Sequence, residues 1–157
     1  MKVECWVTGK TSEAYLAEGV AQYVERLRHY LPFRMETLPE VKNAGKYTPL
    51  QLKAREGEIL LGKLQSDDYL ALLDERGREF SSLEWARWLE QQLNLPRRRL
   101  IFAIGGAWGF AEAVYQRADF QLALSRMTFS HQMARLFFLE QLYRAMTILR
   151  NEPYHNA

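Results

Sequence analysis

A single cysteine, Cys5, in a chain of 157 residues leaves no internal disulfide and no cysteine-based zinc cluster. The three histidines, His29, His131 and His155, are far apart, and neither H-E-x-x-H nor any other metal-ligand spacing occurs, so no metal is expected. The phosphate-loop pattern G-x-x-x-x-G-K-[ST] is missing, as is G-x-G-x-x-G. There is also no Ser-His-Asp order of the kind hydrolases use, so a nucleotide hydrolase would lack both its phosphate cradle and its nucleophile. No apolar run approaches the ~20 residues of a membrane span. The opening residues, Met1-Lys2-Val3-Glu4-Cys5-Trp6, lack the charged-then-apolar layout of a secretory signal. No membrane partner is expected, and a reducing, cytoplasmic setting follows from the lone thiol.

Hydrophobic residues make up 48% of the chain and charged residues 25%, the balance of a globular protein with one core, read as one domain over residues 1–157. The formal charge of +2 hides an asymmetry. Residues 97–157 hold eight arginines, no lysine and four acids, net +4, against −2 for residues 1–96. Guanidinium forks match phosphate oxygens, so the second half suits a nucleic-acid partner. On charge alone, a solvated surface is the better account of so modest a bias.

Apolar periodicity alternates between two-residue and helical spacing. Lys2–Thr8 reads as a strand with Val3, Cys5 and Val7 on one face. Ser12 is the expected cap of a helix carrying Leu16, Val20, Val24, Leu27 and Leu31, which Pro32 ends. A short strand, Phe33–Leu38, follows. Thr48-Pro49 opens a helix to about Gln65, with a capping hydroxyl and a proline at the first helical position. Tyr69–Leu73 is an unbroken apolar run, the mark of a strand covered on both faces, and Asp74-Glu75-Arg76-Gly77 reads as a turn. Ser81 and Glu84 have capping-box spacing ahead of Trp85, Trp88 and Leu89. Further strands are expected at Leu100–Ile104 and Phe120–Leu124, separated by a short helix from Ala111 to Arg117. His131–Arg150 is the longest helix.

This β-α alternation predicts an α/β fold, a mostly parallel sheet flanked by helices. Ligands of such sheets sit beyond the carboxyl ends of the strands. Leu73-Asp74, Gly105-Gly106 and Leu124-Ser125 all fall at such ends and are expected to converge on one pocket. Glycines straight after a buried strand let backbone amides approach a ligand, although a tight turn explains them as well. Leu124-Ser125-Arg126-Met127-Thr128-Phe129-Ser130 offers hydroxyls, amides and a thioether beside one arginine, walls that suit a cofactor with adenine, ribose and a sulfur arm. Read alone, it is also simply the approach to a helix capped by Ser130. Within the last helix, His131 and Arg135 share a face, as do Glu140 and Arg144, a spacing equally typical of a surface ion pair. Pro153-Tyr154-His155 places an aromatic ring and an imidazole where a chain normally frays, which points to a docked tail.

Taken together, these segments resemble one family. The matching residues are Leu73-Asp74 with Gly77, Phe102-Ala103-Ile104-Gly105-Gly106 with Gly109, Leu124-Ser125-Arg126-Met127-Thr128 with His131-Gln132, Arg135, Glu140-Gln141-Leu142-Tyr143-Arg144-Ala145, and Pro153-Tyr154-His155. The chain is similar over its whole length to the bacterial large-subunit rRNA pseudouridine N3-methyltransferases, a minimal branch of the SPOUT class. That resemblance implies a SPOUT fold with a C-terminal trefoil knot, and a homodimer with cofactor sites near the knot. It implies S-adenosylmethionine as methyl donor, held by Leu73, Gly105, Leu124, Ser125, Arg126, Met127, Thr128 and Phe129. The implied substrate is N3 of a pseudouridine of 23S rRNA in the assembled ribosome, with His131, Arg144, Tyr154 and His155 as catalytic candidates. Where relatives commonly end on a basic residue after the Tyr-His pair, this chain reads Asn156-Ala157. Two other expectations compete: a SPOUT-like methyltransferase of another RNA such as tRNA, and a non-catalytic ribosome-binding factor.

Overall fold

A computed structural model of the chain describes residues 1–156; Ala157, the end of the departing Asn156-Ala157 pair, lies outside the described residues. Five strands, β1 (Lys2–Thr8), β2 (Phe33–Leu38), β3 (Tyr69–Arg78), β4 (Arg99–Ile104) and β5 (Phe120–Leu122), pair in parallel in the order β2-β1-β4-β3-β5. Five helices alternate with them: α1 (Ala14–Arg28), α2 (Pro49–Lys63), α3 (Ser82–Leu93), α4 (Glu112–Arg117) and α5 (His131–Leu149).

Alternation along the strands decides which layer each side chain enters. Val3, Cys5 and Val7 of β1, with Leu100, Phe102 and Ile104 of β4, are buried beneath α1, α3 and α5. Trp6, Leu70, Leu72, Ile101 and Ala103 face the opposite way, toward Leu60 of α2 and Val114 of α4. Both faces of the central strands are therefore covered, which is why their sequences read as continuous apolar runs. Aromatic rings gather under α3, where Trp85 and Trp88 stack at 5.3 Å and Phe102 meets Phe138 of α5 at 4.9 Å between centroids.

Helix starts follow their capping chemistry. Thr48 and Gln51 form a reciprocal capping box at α2, as do Ser81 and Glu84 at α3, and the Ser130 hydroxyl accepts the Met133 amide 3.1 Å away at α5. Ser12 is the exception. Helix α1 begins at Ala14 with Glu13 in the cap position, and no side chain caps it. The Ser12 amide instead donates to Gln132 Oε1 at 3.0 Å, so an orphan donor near one helix start is satisfied by another helix.

Strand β3 also departs from expectation, running on to Arg78 where the sequence reads as a turn after Leu73. Beyond Leu73 the strand leaves the two-sided core, so its residues turn polar without its backbone ending. The register slips between Leu73 and Arg78, both of which pair with Leu122. Gly77 is required there: a Cβ on it would lie 2.6 Å from the Gln121 carbonyl carbon and 2.7 Å from the Leu122 nitrogen. Strand β5 is correspondingly short, ending at Leu122, with the Ala123 amide closing on the Arg78 carbonyl at 2.9 Å.

Candidate active site

The stretch of β3 from Leu73 to Arg76, the carboxyl end of β4 and the segment after β5 enclose a cavity of about 480 Å³, within the range of small-molecule sites. Leu73 and Asp74 form one wall, Gly105 to Phe110 a second, and Leu124, Ser125, Met127, Thr128 and Phe129 a third. The three segments expected to converge do so, although Leu73-Asp74 lies within β3 and not at its end. His131 and Ala134, on the first turn of α5, complete the lining.

The glycine turn is a backbone device. A Cβ on Gly105 would sit 3.2 Å from the Gly109 carbonyl carbon, and one on Gly106 2.9 Å from the Glu56 carboxylate beneath the loop. Gly109 adopts φ +82°, a left-handed conformation that glycine reaches freely. These three positions let the chain fold back as a Gly106–Gly109 bridge and expose Ala107 and Trp108 at the rim. Behind it, burial and the neighbouring Glu40 push the Glu56 carboxyl up.

Asp74 supplies a fixed negative charge to the pocket, beside Glu75. Its carboxylate accepts from the Tyr115 hydroxyl and from the Arg76 amide at 2.8 Å. Burial works against its ionisation, but those bonds and the Arg76 guanidinium outweigh it and hold the group below the usual range. Across the mouth, the Thr128 hydroxyl donates to Glu75, tying the loop to the end of β3. Ser125 Oγ accepts from the Met127 amide at 3.0 Å, folding the loop over itself. Glu75, Arg76 and Tyr115 were not singled out in the sequence. The signal for Tyr115 is its place on the helix that follows the glycine turn, where side chains overhang the strand ends.

Arg126 stands apart from the other loop residues. Its side chain is 87% exposed and its Nε lies 3.3 Å from Glu79, outside the cavity lining. Arg135 is structural: at 1% exposure it donates to the carbonyls of Thr8 (2.7 Å) and Gly9 (2.9 Å) and to the Thr11 hydroxyl (3.1 Å). It thereby pins the start of α5 to the end of β1.

His131 is held below its ordinary range first by burial and then by the charge of Arg135, so it faces the pocket as a neutral imidazole near pH 7. The sign of the linkage follows. The folded protein binds fewer protons at His131 than the unfolded chain does, so this contribution to stability is present above the ordinary histidine value and is lost on acidification through the lowered one. The fall in Tm between about pH 7 and about pH 5 is expected to be smaller in His131→Gln than in the parent. Equal falls would contradict it.

The other three catalytic candidates lie elsewhere. Tyr154 and His155 fold back onto α5 and α1 rather than fraying, and both are half-buried. The Tyr154 ring meets Tyr143 edge-on at 4.8 Å, with the Arg144 guanidinium 4.9 Å from its centroid. Its hydroxyl donates to Glu140 (3.0 Å) and lies 3.0 Å from that of Tyr23. Burial and these two bonds push its ionisation upward, so it acts as a neutral phenol. Arg144 bridges Glu140 (2.7 Å) and His155 (2.9 Å), so the Glu140–Arg144 pair is the centre of a network and no idle surface contact. Thirteen residues of α5 separate Arg144 from His131, about 20 Å at 1.5 Å per residue. One chain therefore does not bring the tail to its own pocket.

The family model described as "Predicted SPOUT methyltransferase" matches residues 1–155. Among relatives, "Ribosomal RNA large subunit methyltransferase H" of Parabacteroides distasonis is 51% identical over 99% of both chains. The protein of the same name from Cytophaga hutchinsonii is 52% identical over 99% of this chain and 100% of its own. A third so named, from Bacteroides fragilis, is 47% identical over 99% of each. A pocket at three converging segments of a parallel α/β fold, in a chain aligned end to end with such proteins, leaves one assignment: this chain belongs to the SPOUT methyltransferase family.

Proposed function

We propose that the protein is an S-adenosylmethionine-dependent methyltransferase that methylates N3 of a pseudouridine in 23S rRNA within the assembled ribosome. The observation that carries this reading is the glycine-turned pocket in a chain alignable over 99% of its length with large-subunit rRNA methyltransferases. The residues present fit the cofactor. The glycines of the Gly105–Gly109 turn present backbone to the cavity, with open space beside Gly109, Met127 and Phe129 offer apolar surface, and ionised Asp74 suits a ligand carrying positive charge. Leu73, Gly105, Leu124, Ser125, Met127, Thr128 and Phe129 would hold it, with Arg126 at the outer edge of the loop. The bound cofactor supplies a methyl group on a sulfonium, already a good leaving group, so the protein's task is alignment with the attacking nitrogen.

The imide nitrogen of the base has to lose its proton before or during transfer. His131, Arg144 and His155 are the groups available to accept it or to stabilise the resulting anion, and Tyr154 offers a ring for the base to stack on. The pocket and the tail are combined by a homodimer in which one protomer's Tyr154 and His155 face the pocket of its partner. Apolar side chains beside the pocket support such pairing: Trp108, Met127, Phe129, Met133 and Phe137 are all substantially exposed, and Phe129 stacks on Phe137 at 5.0 Å. The native mass in solution is expected to be twice the chain mass of 18.5 kDa, and Phe137→Glu is expected to return it to one chain. Light scattering that gives one chain mass for the parent would contradict the pairing.

A chain of this size, read as one SPOUT domain whose C-terminal segment forms the family's knot, takes its RNA specificity from dimer and ribosome shape. Its affinity for short RNA is expected to be weak and salt-sensitive. Methyl incorporation into unmodified ribosomes, isolated subunits, free rRNA and tRNA tests the assignment. Preference for ribosomes supports it, preference for tRNA would move the substrate, and no binding of S-adenosylmethionine at millimolar concentration would leave only a ribosome-binding factor.

A further inference from the structure

The C-terminal cluster is a directional chain of hydrogen bonds. Glu140 Oε1 accepts from the Tyr154 hydroxyl at 3.0 Å and from Arg144 Nη2 at 2.7 Å. The second arm of the same guanidinium, Nη1, lies 2.9 Å from His155 Nδ1. A guanidinium has only donors and keeps its proton, so the direction of this last bond is fixed and Nδ1 accepts with its lone pair. A neutral imidazole that accepts at Nδ1 carries its proton on Nε2.

We infer that Glu140 and Arg144 are positioning residues that hold His155 as the neutral Nε2–H tautomer, so that His155 donates a hydrogen bond to an imide carbonyl of the target base and does not take its N3 proton. The inference rests on the proposed meeting of the tail with a partner's pocket, and it assigns what the tail does there. The only lone pair on the ring is occupied by Arg144, and the nitrogen left free to meet substrate already bears hydrogen. The N3 proton passes to solvent water before transfer, and the charge it leaves is shared between N3 and the two flanking carbonyl oxygens. A donor aimed at one of those oxygens stabilises that anion. The N3 electron pair then forms the bond to the methyl carbon while the carbon–sulfur bond breaks with its pair remaining on sulfur. His155 keeps its proton throughout.

Glu140 completes the arrangement from below. It fills the other guanidinium arm and orients the Tyr154 hydroxyl, with Tyr23 of α1 closing the far side. Loss of either anchor frees the imidazole to rotate and exchange tautomers.

Long-range proton–nitrogen NMR on the full-length dimer, with His155 signals assigned by comparison with His155→Gln, reads the tautomer directly. The parent is expected to show a proton-bearing Nε2 and a lone-pair Nδ1, and Arg144→Met to average the two nitrogens. The kinetic arm uses the shape of glutamine, whose side-chain amide offers an N–H near the position of Nε2 but is no base. His155→Gln is expected to keep at least a tenth of the parental kcat on unmodified ribosomes, while His155→Ala loses at least a hundredfold, both with unchanged KM for S-adenosylmethionine. A parental Nδ1–H tautomer, or equal losses in the glutamine and alanine variants, overturns the inference. Should Arg144→Met fail to fold, the parental spectrum decides alone. The spectrum needs no turnover, so an inactive parent with the expected tautomer would count against the proposed function and not against this geometry.

Discussion

A mixture of His155→Ala and Ser125→Trp proteins, unfolded and refolded together, is expected to regain methyl transfer that neither shows alone. Ser125→Trp fills the cavity with an indole, because Ser125 is half-buried on the pocket wall. His155→Ala leaves that cavity intact, because His155 lies outside its lining, against Arg144, about 20 Å along α5 from His131. Each pure dimer then lacks one half of every site. If the tail of one protomer serves its partner's pocket, a mixed dimer pairs the intact pocket of the first variant with the intact tail of the second. Random two-fold reassembly gives half mixed dimers with one good site in two, so about a quarter of parental activity is expected. A mixture as inactive as its components would mean that pocket and tail of one chain work together, against the geometry of α5.

Gly77→Ala is expected to be the most damaging single-methyl change among the described glycines, although Gly77 touches no part of the cavity. The added carbon would meet backbone at 2.6 Å and 2.7 Å, on Gln121 and Leu122, and backbone cannot swing aside as a side chain does. Separating β3 from β5 there is expected to cost about 1–3 kcal/mol, the range for overpacked sites. For a chain of this length that lowers Tm by several degrees. The loop from Leu124 to Phe129 hangs from β5, so affinity for S-adenosylmethionine is expected to fall as well. Gly62→Ala is the matched control. Gly62 is an exposed position in α2 with nothing within 4 Å of a Cβ, and alanine there is expected to stabilise by about 0.5–1 kcal/mol. Denaturant unfolding of both variants settles the contrast, and a neutral Gly77→Ala would refute the close approach of β3 to β5.

Much of this architecture was legible because local chemistry and global pattern agree. Thr48-Pro49, Ser81 with Glu84, and Ser130 cap α2, α3 and α5 as their spacing implies. The apolar runs Tyr69–Leu73 and Leu100–Ile104 are central strands for the reason given by their composition, burial on both faces. What escaped were contacts between segments distant in sequence. Ser12 looks like a cap, but Gln132, 120 residues away, takes its amide. Asp74 to Gly77 looks like a turn because polar residues and a glycine gather there; the glycine serves a neighbouring strand instead. In the site, the pocket walls followed from the rule that ligands sit at strand ends, whereas the separation of His131 from Tyr154 and His155 follows only from the length of α5. Glu140 and Arg144 at a spacing of four are indistinguishable from a surface pair until the tail is seen to fold back on them.

The proposed substrate is tested most directly by methyl transfer from labelled S-adenosylmethionine to ribosomes lacking the modification, prepared with and without prior pseudouridine formation at the target. The expected result is one methyl group per ribosome, on N3 of a pseudouridine in 23S rRNA, and incorporation that drops sharply when that position is still uridine. Equal methylation of free tRNA, or full incorporation into ribosomes that lack the pseudouridine, would contradict it.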